Sequence, residues 1–489
     1  MDIWSAIKSG QNTYKLFIDG KWVTSSSKKT FDVRNPHDNS LVGRVQSATK
    51  SDASMAVEAA YRAKDVIAGM DAIERIEILE KIHSLVLKHQ KDMINIIVKE
   101  AGKPFETARG EVNATAERLH LATEEAKYLE GAYIPGDLVQ GTSRRFAIVS
   151  RKPLGVVLAI TPFNYPLFIS IAKIAPAIAA GNAVVSKAAS DDPICLLMFA
   201  RLAELAGMPK GALNVLTGSS GEIGDYLVTH PKVSMISFTG SSDAGKHIAG
   251  IAGMKRLHLE LGGKGPALVL EDADLDLAVK ECVSGALKFS GQRCDAISRI
   301  LVVEKIADDF VKMVVNEAKK WNIGNPKEAG TKVGPMINEN AIKKVEELVE
   351  DAKKKGAKLL LGGKRKGKGL YYEPTVLDGV TTEMRIAWEE TFGPVATIVR
   401  VRDMEEAIRI ANQSIFGLDA SVFTRDVDKA VAIAKKLDDG SVTINGAPAH
   451  GVGIFPFGGD KDSGMGREGI GYSIDEMTKL HTIVFSRKA

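Results

Sequence analysis

Between Gly155 and Leu261 the chain changes its hydrophobic period repeatedly, from short apolar runs to helical spacing and back. GVVLAIT reads as a strand, LFISIAKIAPAIAAG as a helix and NAVVSKA as a strand. PICLLMFARLAELAG is a helix closed by Gly207 and Pro209, followed by the strand ALNVLTG, the helix GEIGDYLVTH and the strand VSMISFTG. SSDAGKHIAGIA is a further helix and RLHLEL the last strand. Strands alternating with helices of this length imply parallel pairing through right-handed crossovers, so the fold class expected is α/β.

Such a run builds a Rossmann-like dinucleotide-binding domain. A second α/β unit is expected from about Gly262 to Asn445, with the helices FVKMVVNEAKKW and AIKKVEELVEDAKKKG and the strands ATIVRV and SVTING. Upstream, Ser51 to Leu129 is mostly amphipathic helix, and Phe17 to Val23 has the pattern of a hairpin arm. Residues 144–151 and 482–486 are β-like and lie outside both units. At 489 residues the chain has room for two or three domains, each with its own core. A net charge of +4, from 65 basic and 61 acidic residues, calls for neither nucleic acid nor a membrane surface. The first residues hold no apolar core of signal-peptide length. The longest apolar stretch is interrupted by Pro162, Asn164, Pro166, Lys173 and Pro176, which argues against a membrane span. Cys195, Cys282 and Cys294 are too few and scattered for a disulfide framework or a metal site, so no metal is expected and the cytoplasm is the expected location.

Chemistry concentrates where the first unit ends. Glu260 closes an apolar run just before two glycines in LHLELGGKGP, and Cys294 follows in the Gly-Gln-Arg-Cys turn of KFSGQRCD. A carboxylate and a thiol on separate glycine-containing loops suit a two-step covalent mechanism. The thiolate attacks an electrophilic carbon, and the carboxylate later activates water against the thioester. Together these motifs resemble LELGGK and GQ-x-C of the aldehyde dehydrogenase superfamily, and the resemblance extends over nearly the whole chain. In pattern it is closest to the non-phosphorylating NADP-dependent glyceraldehyde-3-phosphate dehydrogenases and archaeal lactaldehyde dehydrogenases. The resemblance implies an NADP-binding domain over residues 1–130 and 152–261 and a catalytic domain over 262–455. It also implies a small β oligomerisation element, 131–151 and 470–489, in a homotetramer or homodimer.

For the nucleotide, the turn from Thr239 through Gly240 and Ser241 to Gly245 resembles the family's FTGS-x-x-x-G. Gly240 removes a side chain where backbone must approach a phosphate, and the helix that follows points its N–H groups at the anion. Lys187 ends the strand NAVVSKA, at the sheet edge where doubly wound folds hold ligands. In the family this lysine contacts the adenosine ribose, and NAD-preferring members commonly carry a glutamate three residues on. Ser190 stands there in this chain, so a 2′-phosphate is not repelled and NADP is the expected cofactor, NAD being less favoured. Asp191 and Asp192 follow and bring charge of the opposite sense close by. EETFGP resembles the family's EE-x-FGP, which implies that Glu390 binds the nicotinamide ribose and that Phe392 packs beside the ring. Thr161, Pro162, Gly224 and Leu261 carry over as further cofactor contacts.

For the reaction, Pro162-Phe163-Asn164-Tyr165-Pro166 matches the family's P-x-N-x-P, in which the asparagine amide donates to the oxyanion. A pre-positioned donor of this kind is worth about 2.7–4 kcal/mol of barrier. The implied cycle is attack by Cys294, hydride transfer to the cofactor, and hydrolysis of the thioester by water that Glu260 activates. For the aldehyde, Tyr165 and Arg293 match two groups of the phosphate-handling members, while Ala114 and His450 stand where two arginines are expected. Loss of two cations demotes a dianionic substrate. The expected substrate is thus a small aldehyde: glyceraldehyde 3-phosphate, glyceraldehyde, lactaldehyde or a short aliphatic aldehyde. Succinate semialdehyde oxidation or a coenzyme-A-acylating reaction is the alternative, the latter having no need of Glu260. A catalytically silent binding protein is disfavoured by the joint presence of Cys294, Glu260, Asn164 and Lys187.

Overall fold

The structure, a computed structural model, describes residues 3–10, 12–367, 369–449 and 453–486. Val156–Ile160, Ala183–Lys187, Leu213–Leu216, Met235–Thr239 and Arg256–Glu260 are the parallel strands. The helices between them are Phe168–Ala179, Ile194–Leu205, Ser220–Thr229 and Ser242–Ile251. The first four strands are buried along their whole length, which is why each reads as a continuous apolar run with no alternation. Across the sheet the order is Arg256–Glu260, Met235–Thr239, Val156–Ile160, Ala183–Lys187, Leu213–Leu216. Chain order therefore reverses between Val156–Ile160 and Met235–Thr239. Crossovers leave that point in opposite directions and open a crevice at the carboxyl ends of the strands.

The edges depart from expectation. Leu16–Ile18 and Lys21–Val23 form the hairpin, but it is no free arm: Phe17 pairs with Val215 and extends the sheet. Leu16, Phe17 and Ile18 are all buried, a run too short for its pattern to tell arm from edge. Gly464–Met465 pairs antiparallel with Arg256–Glu260 at the other edge. A four-stranded sheet of Lys8–Ser9, Thr13–Tyr14, Thr30–Arg34 and Leu41–Gln46 was not expected. Two of its strands have two residues each, below the length at which periodicity is readable.

The second unit is a seven-stranded sheet in the order Lys358–Leu361, Thr375–Asp378, Val395–Val401, Ile297–Val303, Gly265–Val269, Asp419–Phe423, Ser441–Ile444. Only its first pair is antiparallel. Alternate residues of one strand feed two cores: Leu268 packs with Leu301 and Val399, whereas Ala267 and Val269 pack with Ile300 and Ile398. Outside both units, Thr478–Ser486, Arg145–Pro153 and Ala132–Pro135 form an antiparallel three-stranded sheet. Against the expectation for residues 470–489, the helix Ile470–Glu476 does not join this sheet but buries Ile470 and Ile474 in the core of the first unit. Among the described residues no helix is long and apolar enough to cross a membrane.

Candidate active site

At the order reversal lies a cavity of about 470 Å³. Thr161, Pro162 and Asn164 enter it from the end of Val156–Ile160, and Lys187 and Ser190 from the end of the next strand. Thr239, Gly240 and Ser241 follow from Met235–Thr239, and Leu261 from Arg256–Glu260. The second unit supplies the facing wall with Cys294, Glu390 and Phe392. It also supplies Asn338 and Lys344, which the sequence reading missed because Glu339–Lys354 looks like a solvated Lys/Glu helix. Gly224 is not in the wall. It sits a turn inside Ser220–Thr229, whose first residue, Ser220, lines the cavity instead.

Glycines allow the loops to meet. A Cβ on Gly262 would lie 3.1 Å from both Glu390 carboxylate oxygens, and one on Gly263 only 2.5 Å from the Cys294 carbonyl oxygen. Glu390 Oε1 accepts the Gly263 N–H at 3.1 Å. Before the nucleophile, Phe289 and Ser290 adopt left-handed φ of 52° and 56°, a conformation costly for residues with a Cβ. Neighbours hold the loop in place. The Ser290 hydroxyl donates to Gly334 O at 2.8 Å, and Gln292 Oε1 accepts the Ile337 N–H at 2.9 Å. Cys294 remains partly exposed, whereas Cys195 and Cys282 are core residues. Burial raises the Cys294 thiol well above its usual range, and the charges of Asp295 and Asp419 add to the effect.

Asn164 is held by a buried ion pair between Lys103 and Glu111. Lys103 Nζ donates to the Asn164 carbonyl at 2.6 Å, and Glu111 Oε1 accepts the N–H groups of Leu167 and Phe168 at 3.0 and 3.2 Å. The Asn164 side-chain oxygen accepts the Tyr165 N–H at 3.1 Å, which assigns the donor role to its NH2 end. Glu260 is set back: it does not line the cavity, although the next residue, Leu261, does. Its buried carboxylate packs against Gly458, with Oε1 3.2 Å from His258 Nε2. Burial raises the Glu260 pKa, partly opposed by the His258 contact.

At the far end of the cavity, burial lowers the Lys187 ammonium to about 8, partly opposed by the charge of Asp191. The Ser190 hydroxyl donates to Gly218 O at 3.1 Å. Asp191 lines the cavity and accepts from Asn338 Nδ2 at 3.3 Å. Asp192 is buried in the core instead, its carboxyl held well above the usual range by burial and by Glu100. The Thr239 hydroxyl is buried without a hydrogen-bond partner among the described residues. Gly240 answers to packing: a Cβ there would lie 2.5 Å from the Phe238 ring. Ser241 caps Ser242–Ile251, accepting the Ala244 N–H at 3.3 Å. Phe163 and Phe392 meet edge to face at 5.8 Å.

The aldehyde dehydrogenase family pattern matches residues 22–483. The chain belongs to that family. It is 41% identical over 473 residues to an NADP-dependent glyceraldehyde-3-phosphate dehydrogenase of Streptococcus equinus, covering 96% of this chain and 98% of the relative. It is 40% identical over 476 residues to a lactaldehyde dehydrogenase of Methanocaldococcus jannaschii, covering 96% and 100%. Among solved structures it superposes with a TM-score of 0.95 on the NADP-dependent glyceraldehyde-3-phosphate dehydrogenase of Bacillus halodurans C-125 complexed with NADP. That pair shares 39% identity and covers 97% and 100% of the two chains.

This aldehyde dehydrogenase has a second cavity of about 370 Å³, lined by Ala114, Tyr165, Phe168, Lys288, Arg293 and Asp295 among others. Cys294 stands between the two: it lines the first, and its sequence neighbours Arg293 and Asp295 line the second. Arg293 is committed to its own loop. Its Nε donates to Asp295 Oδ1 at 3.0 Å and its Nη2 to the Asp295 and Pro448 carbonyls at 3.2 and 3.5 Å. Lys288, at the exposed rim, is a cation the sequence reading passed over, since a lysine after a helix is ordinarily only solvated. His450, expected in the same pocket, lies outside the described residues.

Proposed function

We propose that the protein oxidises a small aldehyde to its carboxylic acid with NADP, through a thioester on Cys294 that water hydrolyses. The observation that carries this reading is the place of Cys294 between two cavities, one at the sheet's switch point and one beside Tyr165. With its proton released to water, Cys294 Sγ forms the bond to the aldehyde carbon as the C=O π bond opens, and the Asn164 amide and the Cys294 N–H hold the oxyanion. Loss of the aldehyde hydrogen as hydride, with re-formation of the C=O, leaves the thioester. NADP, when bound, supplies the hydride acceptor. Phe392 and Glu390 orient its nicotinamide end, and Ser241 and the helix it caps face the pyrophosphate. Lys187 and Ser190 hold the 2′-phosphate. A buried ammonium, a serine rather than a glutamate at position 190, and a Thr239 hydroxyl with no hydrogen-bond partner among the described residues fit a phosphorylated nucleotide, with the Asp191 carboxylate nearby acting against it. Glu260 then takes a proton from the hydrolytic water, and its burial-raised pKa suits a base working near neutrality.

For the aldehyde, Ala114 and the committed Arg293 favour glyceraldehyde, lactaldehyde or a short aliphatic aldehyde over a tightly held dianion, with Lys288 left as the cation at the rim. The two relatives named above are a glyceraldehyde-3-phosphate dehydrogenase and a lactaldehyde dehydrogenase, which supports substrates of this size. Self-association to a homotetramer or homodimer is supported by the Thr478–Ser486 edge strand, which exposes Leu480, Ile483, Val484 and Phe485. Three free, scattered cysteines support a cytoplasmic location. The test is NADPH formation with a panel of aldehydes, with and without coenzyme A. Acid as the product, with no dependence on coenzyme A, is expected. A strict requirement for coenzyme A would replace this reading with the acylating one.

A further inference from the structure

We propose that His258 is the positioning partner of Glu260: an imidazolium, anchored by Glu476, whose charge keeps the Glu260 carboxylate ionised in its buried seat. The proposal rests on Glu260 as the hydrolytic base and extends that reading to a second residue.

His258 and Glu260 are two apart on the Arg256–Glu260 strand, so their side chains leave the same face. Both are buried. His258 Nε2 lies 3.2 Å from Glu260 Oε1 and 4.0 Å from Glu468 Oε1, and His258 Nδ1 lies 2.5 Å from Glu476 Oε2. Other charges approach from every packed element. Lys173, on Phe168–Ala179, is 2.8 Å from Glu468 Oε1, and Arg118, on Phe105–Glu125, is 3.7 Å from Glu468 Oε2. Arg256 turns to the carbonyls of Glu476 and Thr478, and the Arg467 guanidinium turns to Asp460. Lys173 and Arg118 lie nearest Glu468 and act on Glu260 from farther off, as do Asp419 and Cys294 on the catalytic side, and the imidazole is the group set directly between the carboxylates of Glu260 and Glu476.

These two carboxylates differ in exposure. The Glu476 side chain is 29% exposed and that of Glu260 4%, so only Glu260 depends on a protein counter-ion to stay charged. Burial would lower the imidazole's pKa, but the contacts with Glu260 and Glu476 outweigh it and hold His258 up to about 9. Among the described residues neither Glu260 oxygen makes a hydrogen bond of full geometry. The carboxylate is therefore held by charge, packed between His258 and Gly458. Its ionisation matters at one step. In deacylation a water O–H bond breaks, the oxygen bonds to the thioester carbon and the C–S bond to Cys294 breaks. The water's proton passes to Glu260, which a Glu260 already protonated cannot accept.

Removing the imidazolium removes an opposite charge, so the Glu260 pKa rises and its ionised fraction at a given pH falls. The test is acyl-enzyme hydrolysis after a single turnover with NADP and an accepted aldehyde, followed across pH in His258→Asn and Glu476→Gln. His258→Asn is expected to keep the first-turnover burst of NADPH, while the acid limb of hydrolysis moves up by about one pH unit or more. Below the limb this is roughly a tenfold loss, recovered at higher pH. Glu476→Gln, at a partly exposed site, is expected to move the limb the same way by less, since His258 loses its anchor. An unmoved limb in His258→Asn with the burst intact overturns the proposal. If that variant does not fold, an unmoved limb in Glu476→Gln overturns it. Glu260→Gln separates the two readings. If it stalls while the limb stays put, only the role of His258 falls; if it hydrolyses like wild type, both fall.

Discussion

The cavities on either side of Cys294 are built by different means. The nucleotide side is made of strand ends, turns and close backbone approaches: Thr161, Lys187, Thr239 and Leu261 lie where parallel strands stop, and Gly262 and Gly263 let three loops touch. The aldehyde side is made of side chains from separated segments, with Ala114, Tyr165, Lys288 and Arg293 brought together only by the tertiary fold. Topology therefore fixes the grip on the cofactor, whereas the grip on the aldehyde can change by single substitutions that leave the fold intact. Charge follows the same division. Lys187 is buried and available on the first side, while Arg293 on the second is bound to Asp295.

The comparison breaks if the sides are not separable. Cys294→Ala is expected to lower kcat/KM at least about a thousandfold while leaving NADP affinity nearly unchanged by direct titration. A parallel loss of NADP affinity would mean that the nucleophile loop also holds the cofactor. A smaller effect sharpens the nucleotide side. Ser190→Glu places a carboxylate in the proposed 2′-phosphate site, and should shift the NADP-over-NAD ratio of kcat/KM towards NAD by about tenfold or more. An unchanged ratio would move the phosphate away from Ser190. The smallest effect belongs to the aldehyde rim. Lys288→Ala removes an exposed charge worth about 1 kcal/mol or less, a severalfold rise in KM for anionic aldehydes and none for aliphatic ones. Equal changes for both classes would remove Lys288 from substrate selection.

The same division explains what could be read from the sequence. The alternation between Gly155 and Leu261 is legible because buried parallel strands are uniformly apolar and their crossovers have helical period. Thr161, Asn164, Thr239 and Cys294 could be placed because each follows a strand or sits in a glycine turn. The two-residue strands near the N-terminus, and the edge role of Leu16–Ile18, were hidden because so few residues carry no period. Gly224 sits one turn of helix beyond the cavity wall that Ser220 lines, an offset no local pattern records. Lys288, Asn338 and Lys344 are polar residues on or beside helices, and nothing in their neighbourhood distinguishes a cavity rim from solvent. His258 lay unnoticed in the motif itself: its meaning depends on Glu476, far away in the chain and brought to 2.5 Å only by the fold.

The central claim is that aldehyde carbon becomes bonded to Cys294 and that Glu260 releases it. Glu260→Gln, mixed with NADP and a small aldehyde, tests both parts at once when NADPH formation and the mass of the Cys294 peptide are followed together. A burst of NADPH matching the number of sites, slow turnover afterwards, and a stable acyl adduct on Cys294 are expected. Steady turnover at the wild-type rate, with an unmodified Cys294 peptide, would contradict that claim.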